Sequence, residues 1–177
     1  MNWEFDFLYW LQGLHNPIMD RVMIVVTSLG NMGIFWIVLS LILVLPRKYR
    51  KAGSCMLVSI VLSFVLGNLI IKNVVHRTRP FIVDPTVQLL IKKPHEYSFP
   101  SGHTLNGITA SVTLFLYHRR EGIVAIILAL VIAFSRLYLF VHYPTDILGG
   151  IVLGTIDALI VYSLLKKYKY DEVSNKE

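Results

Sequence analysis

The chain has 177 residues, of which 55% are hydrophobic and 16% charged, with a mean hydropathy of +0.61. An ordinary soluble domain is about 45–50% apolar and about 25% charged, so that class is excluded, as are disordered, collagen-like and disulfide-scaffold chains; the single Cys55 cannot close an intrachain disulfide. The net charge is +6, from 17 Lys and Arg against 11 Asp and Glu, and these residues gather in no soluble patch, so nucleic acid is not the expected partner.

Residues 1–16 open on an amphipathic pattern. Trp3, Phe7, Trp10, Leu11 and Leu14 follow helical spacing, with Glu4, Asp6 and Gln12 elsewhere. This predicts a short helix lying in the membrane interface, its tryptophans at headgroup depth. The acidic start does not match a signal peptide. Asn16-Pro17 is a helix-start signal. A bilayer core takes roughly 20 apolar helical residues, and four stretches fit: 22–45, 52–71, 122–140 and 147–165. A fifth, 101–117, is shorter and carries Thr104, Asn106, Thr109, Ser111 and Thr113. That polarity predicts a helix surrounded by other helices rather than by lipid. The expected fold is therefore all-α: an integral-membrane helical bundle with about five transmembrane helices plus the interfacial helix. It forms one membrane-embedded domain over 1–170, followed by a polar cytoplasmic tail over 171–177. Gly30, Asn31 and Gly33 are read as allowing close helix packing. Asp157, deep in the last span, is read as structural and as needing a partner among Asn68, Asn106 and Ser63.

The basic residues sort by segment. Arg47, Lys48, Arg50 and Lys51 follow the first span, Arg119 and Arg120 the third, and Lys166, Lys167, Lys169 and Lys176 the fifth. The positive-inside rule puts this majority in the cytoplasm. The expected protein is a multi-pass cell-membrane protein with its N-terminus outside, its C-terminus inside and the long connection 72–100 facing outward.

That topology brings distant polar residues to one membrane face. Lys72 closes the second span and Arg79-Pro80 follows. Pro100-Ser101-Gly102-His103 opens the third span, Ser135-Arg136 ends the fourth, and His142 and Asp146 bracket the start of the fifth. Lys72, Arg79 and Arg136 are three cations without matching acids, and an anion relieves their repulsion. Arginine suits phosphate oxygens bidentately. Ser101 and Gly102 stand at a helix N-terminus, where free N–H groups and the helix dipole favour an anion. Asp146 can orient His142 and leave its other ring nitrogen as a nucleophile, and His103 can serve as general acid and base. A nucleophile, an orienter, an acid and a cationic cradle point to phosphoryl transfer through a phosphohistidine, with no metal or other cofactor required.

The spacing Lys72-x6-Arg79-Pro80, Pro100-Ser101-Gly102-His103, Ser135-Arg136-x5-His142-x3-Asp146 resembles the three-part signature of the type 2 phosphatidic acid phosphatase family, relatives of soluble acid phosphatases and vanadium haloperoxidases. The resemblance spans 72–146 without a gap or substitution. It implies metal-independent hydrolysis of a lipid phosphate by a helical bundle. His142 would be the nucleophile, His103 the acid and Asp146 the orienter. Lys72, Arg79, Ser101, Gly102 and Arg136 would bind phosphate.

The expected activity is that of an integral-membrane lipid phosphate phosphatase. It would hydrolyse a phosphomonoester, phosphatidylglycerol phosphate or phosphatidate, on the outer face. The alternative substrate is an undecaprenyl or other polyprenyl diphosphate. A different class, a lipid-phosphate binder or transporter without turnover, would not need His103, His142 and Asp146 together. The expected partners are the lipid phosphate substrate and the bilayer. His76, Arg77, Lys92, Lys93, His95 and Glu96 are read as a solvated outer loop within reach of anionic headgroups.

Overall fold

The computed structural model describes residues 3–174, with side chains described through residue 167. In chain order the helices are α1 (Trp3–Gln12), α2 (Pro17–Leu29), α3 (Ile34–Val44), α4 (Arg50–Ser63), α5 (Lys72–Val75), α6 (Pro80–Val83), α7 (Gly102–Tyr117), α8 (Arg119–Tyr138) and α9 (Pro144–Ser174). A 3₁₀ turn, Asn31–Gly33, joins α2 to α3, and a π-helical segment, Phe64–Ile71, joins α4 to α5. Among the described residues there is no strand.

The polar short helix α7 forms the centre of the bundle, packed on α4, α8 and α9. Its face toward α9 is served by Gly150 and Gly154: a Cβ at either position would stand 2.9 Å from a Thr104 or Leu105 atom. Small residues let two helix backbones approach this closely, where dispersion and hydrogen bonds rather than water exclusion hold membrane helices together. Polar side chains of α7 are satisfied inside the bundle: Thr113 donates to the Thr109 carbonyl at 2.7 Å, and Asn106 Oδ1 accepts from Ser63 of α4 at 2.8 Å. Around this centre Val25, Leu41, Val61, Val124 and Leu164 are exposed. So broad an exposed apolar surface is the lipid-facing surface of a membrane protein.

Three helical stretches are long and apolar enough to cross a membrane: Arg50–Val83, Arg119–Tyr138 and Pro144–Lys167; α2 and α3 make a fourth if the bent pair is one span. The expected uninterrupted span at 22–45 is bent by 41° between α2 and α3. The cause is local: Met32 and Gly33 take φ of 51° and 68°, in the left-handed region that ends a right-handed helix. The 16 residues of α7 fall short of a lipid-spanning length, as befits a helix wrapped by its neighbours. The last helix runs on to Ser174, into the segment read as a polar tail, and residues 175–177 lie outside those described.

The loop with Arg47, Lys48, Arg50 and Lys51 lies on the same face as Arg119 and Arg120. Tyr49 donates to Glu121 at 2.9 Å and its ring meets that of His118 at 4.5 Å. The signature residues gather at the opposite end.

The first helix has a buried row beside its expected tryptophan-bearing face. Glu4, Leu8 and Leu11, one helical row, are buried, whereas Trp3 and Trp10 are 58% and 59% exposed. Phe5 and Tyr9 lie against the Phe140 ring, with centroids 6.2 and 5.8 Å apart. Phe140 has φ of 58°, a left-handed conformation that costs a bulky residue roughly 1–3 kcal/mol and needs support from its surroundings. Rings from α1 supply it, in the turn that carries the chain from α8 to His142.

Candidate active site

Each signature residue is delivered by an element end. The π segment leads into Lys72, the first residue of α5; π turns are enriched at functional sites. Arg79 precedes Pro80, the first residue of α6, and Ser101 stands just before α7. Arg136 lies in the last turn of α8, and Asp146 in the first turn of α9. All but Gly102 and His103, which are partly exposed, are buried: Lys72 4%, Arg79 3%, Ser101 0%, Arg136 4%, His142 1% and Asp146 0% exposed.

His142 and Asp146 form the centre. Asp146 Oδ2 lies 3.2 Å from His142 Nδ1. It also accepts from Ser98 Oγ at 2.5 Å and from the Tyr143 N–H at 2.9 Å. A carboxylate only accepts, so Nδ1 carries the ring proton. The other nitrogen, Nε2, faces Arg79 Nη1 at 3.1 Å. Guanidinium only donates, so Nε2 presents its lone pair. Burial, then the positive charges of Arg79, Arg136 and Lys72, hold the imidazole well below the usual histidine range. The ring is neutral at pH 7, and all three cations lie within electrostatic reach of it.

The cations are under-compensated. Arg79 donates to three backbone carbonyls, those of Glu96 (2.6 Å), Val141 (2.7 Å) and Tyr97 (3.3 Å). Arg136 donates to Thr27 Oγ1 at 2.6 Å, and its buried Nε has no partner. Lys72 pairs with Glu96. A carboxylate from the outer loop thus sits on a cation that the signature assigns to phosphate. Burial alone would push the Glu96 carboxyl up, but the Lys72 contact and the charges of Lys72 and Arg79 outweigh it and hold it below the usual range. A desolvated guanidinium with an unfilled donor is costly without an anion, and an anion at this end of the bundle would relieve that cost.

Gly102 adds close approach: a Cβ there would stand 3.2 Å from Asn68 Oδ1 and 3.8 Å from Lys72 Nζ. The Ser101 N–H donates to the Asp146 carbonyl at 3.2 Å, tying the start of α7 to that of α9. His103 comes from α7 and lies against the break between α2 and α3. Its Nε2 is 3.2 Å from Asn31 Oδ1, and a Cβ on Gly30 would stand 3.0 Å from its Cγ. Among the described residues no group of three or more His, Cys, Asp or Glu side chains is arranged to hold a metal ion. A cleft of about 450 Å³ lies on the outer loop between Phe81, Ile82, Pro85, Lys93, Pro94 and His95, and no signature residue lines it.

Sequence reasoning missed several partners. Ser98, Thr27 and Asn31 carry no motif; only the fold sets them beside Asp146, Arg136 and His103. Arg77, read as part of a solvated loop, bridges Asp146 and Glu4 at 2.7 and 2.6 Å. Glu4, the acid that interrupts the first amphipathic pattern, was the one visible signal, since a buried acid demands a partner. Asp157 is buried, yet neither of its oxygens has a partner. Of the partners expected, Ser63 shares with it a cavity of about 100 Å³ but donates instead to Asn106.

Lipid-facing helices around a buried, anion-seeking end define an integral-membrane helical protein with its polar chemistry at one membrane face. The chain belongs to the PAP2 superfamily, whose sequence model matches residues 52–170. It is 40% identical over 122 residues to an undecaprenyl-diphosphatase of Sulfolobus acidocaldarius, a match covering 68% of this chain and 58% of that protein. It is 30% identical over 152 residues to the undecaprenyl-diphosphatase BcrC of Bacillus subtilis, covering 84% of this chain and 76% of that one. Among solved structures, a transmembrane PAP2-type phosphatidylglycerolphosphate phosphatase from Bacillus subtilis superposes with a TM-score of 0.74 at 26% identity, over 92% of this chain and 84% of that one. The family expected from the three-part spacing is thus the family found.

Proposed function

We propose that this protein is a lipid phosphate phosphatase of the membrane, working through a phosphohistidine on His142. The observation that carries the reading is the orientation of that ring. Its proton is committed to Asp146 and its lone pair points into the cations. Nε2 attacks phosphorus as the bond to the leaving oxygen breaks, and His103 supplies the proton that oxygen takes up. Water then attacks the phosphohistidine, His103 accepts its proton, and inorganic phosphate leaves. Lys72, Arg79, Arg136, Ser101 and Gly102 hold the phosphoryl oxygens, so charge developing in transfer meets fixed cations and N–H groups without a metal. A binder without turnover would have no use for this histidine geometry.

The phosphate site sits on the outer face, opposite the basic loops of the cytoplasmic side, and the lipid chain reaches it laterally from the bilayer. Two substrate classes fit the cradle. The names of the 40% and 30% identical relatives favour a polyprenyl diphosphate, whose leaving group is the polyprenyl monophosphate. The solved relative's name favours phosphatidylglycerol phosphate. The test is phosphate release by the purified chain from undecaprenyl diphosphate, phosphatidylglycerol phosphate and phosphatidate in detergent. Turnover that survives His142→Ala, or that requires a metal after EDTA treatment, would overturn the mechanism. Vanadate, a mimic of the transferring phosphoryl group, should inhibit.

A further inference from the structure

The mechanism above leaves Arg77 and Glu4 without a task, yet their side chains run straight to its centre. Arg77 lies between Lys72 and Arg79 in the first signature segment, in the loop between α5 and α6. Its Nη1 donates to Asp146 Oδ1 at 2.7 Å and to Thr145 Oγ1 at 2.5 Å. Its Nη2 donates to Glu4 Oε2 at 2.6 Å. Its guanidinium carbon sits 4.0 Å above the Tyr143 ring centroid. Its backbone carbonyl accepts from the Ser98 N–H at 2.8 Å, and Ser98 is itself a donor to Asp146 Oδ2.

The two oxygens of Asp146 divide their duties. Oδ2 takes His142, Ser98 and the Tyr143 N–H. Oδ1 takes Arg77. Asp146 is fully buried, so in the intact protein Arg77 and not solvent holds Oδ1. Without that contact the carboxylate can turn about its own bond, and the ring it holds turns with it.

Glu4 fixes the other end. Its Oε1 accepts from the Thr145 N–H at 3.2 Å and the Thr145 hydroxyl at 2.6 Å, in the first turn of α9, while its Oε2 takes Arg77. An acid from the first helix therefore caps the helix that bears Asp146, across 141 residues of chain. The same helix packs Phe5 and Tyr9 on Phe140, in the turn that leads to His142.

We infer that Arg77 is a positioning residue for the reaction, acting on His142 through Asp146, and that Glu4 holds Arg77 and makes α1 part of the active site. Arginine is required by the geometry: one planar fork spans two carboxylates and a hydroxyl, which an ammonium group cannot do. This inference rests on His142 being the nucleophile.

The test uses the purified full chain in detergent with dioctanoyl phosphatidate as substrate. Arg77→Ala should lower kcat by about 10- to 100-fold and leave KM within about threefold, because the lost interaction orients the nucleophile and does not touch phosphate. Arg77→Lys should recover part of that loss, and Glu4→Gln should cost a few-fold in kcat. The decisive comparison is Asp146→Asn alone against Asp146→Asn with Arg77→Ala. Residues acting through one another are not additive, so the double variant should match the single within about threefold. Losses that multiply, a rise in KM without a fall in kcat, or an unchanged kcat in both Arg77 variants would overturn the inference. If Arg77→Ala does not fold, the Lys and Glu4→Gln variants give the same split. Activity retained by His142→Ala would instead sink the phosphohistidine reading. An inactive His142→Ala with multiplying Arg77 and Asp146 losses would sink only the positioning role.

Discussion

Arg79 Nη1 stands 3.1 Å from His142 Nε2, the nitrogen that attacks phosphorus in the proposed mechanism. The cation caps the proposed nucleophile; a phosphate that draws the guanidinium onto its own oxygens would uncap it. Substrate binding and activation of His142 are then one event.

That coupling sets a pH dependence. Burial and three cations hold His142 well below the usual range, so it stays neutral as pH falls through 6.5. A depressed histidine value means that the unfolded chain binds the proton first. The group's contribution to stability is therefore full above the ordinary value and is lost toward acid. Activity follows the same sign: the acid limb of kcat/KM assigned to His142 lies below pH 6.5. Arg79→Ala removes one depressing charge and should move that limb to higher pH, measured against wild type on the same substrate so that the substrate's own ionisation cancels.

Glu96 pairs with Lys72 of the proposed phosphate cradle. A phosphate must displace it, so the carboxylate competes with substrate. Glu96→Gln should lower the inhibition constant of vanadate severalfold and lower KM, with kcat little changed. Inhibition curves on the purified protein check this.

His103 depends on the bend between α2 and α3. Gly30→Val should drive a side chain into His103 and Ile132, lowering stability by about 1–3 kcal/mol and moving the general acid. Asn31→Ala leaves the packing and removes only the partner of Nε2. It should reduce kcat on an alkyl phosphate more than on an aryl phosphate, whose leaving oxygen needs less protonation. Steady-state rates on the two esters decide it.

Asp157 stands apart from this chemistry. A buried carboxyl without hydrogen-bond partners is a cost the fold carries. Asp157→Leu should therefore keep activity and hold or raise the melting temperature in detergent. A tenfold loss of activity at unchanged stability would give the residue a role in turnover.

The general architecture was legible in the sequence because lipid imposes a one-dimensional rule: an apolar run of sufficient length is a span. The polar stretch at 101–117 was legible for the converse reason, since hydroxyls cannot face lipid, and α7 proved to be the helix the others surround. The bend within 22–45 was not legible, because hydropathy does not register a left-handed turn at Met32 and Gly33. The first helix was read from its tryptophans, which are exposed; its buried row, Glu4, Leu8 and Leu11, was set by what the bundle offered it.

The sequence by itself determined which residues to expect at the site, through motif spacing and through the apolar runs that bring them to one end of the bundle. Lys72, Arg79, Ser101, Gly102, His103, Arg136, His142 and Asp146 follow from spacing and topology alone. Tertiary structure decided what holds them in register. The contacts of Ser98 and Arg77 with Asp146, Thr27 with Arg136, Asn31 with His103 and Glu4 with Thr145 join residues 48 to 141 positions apart. A hydrogen bond depends on ångströms and angles, and across such separations only the packed helices set them.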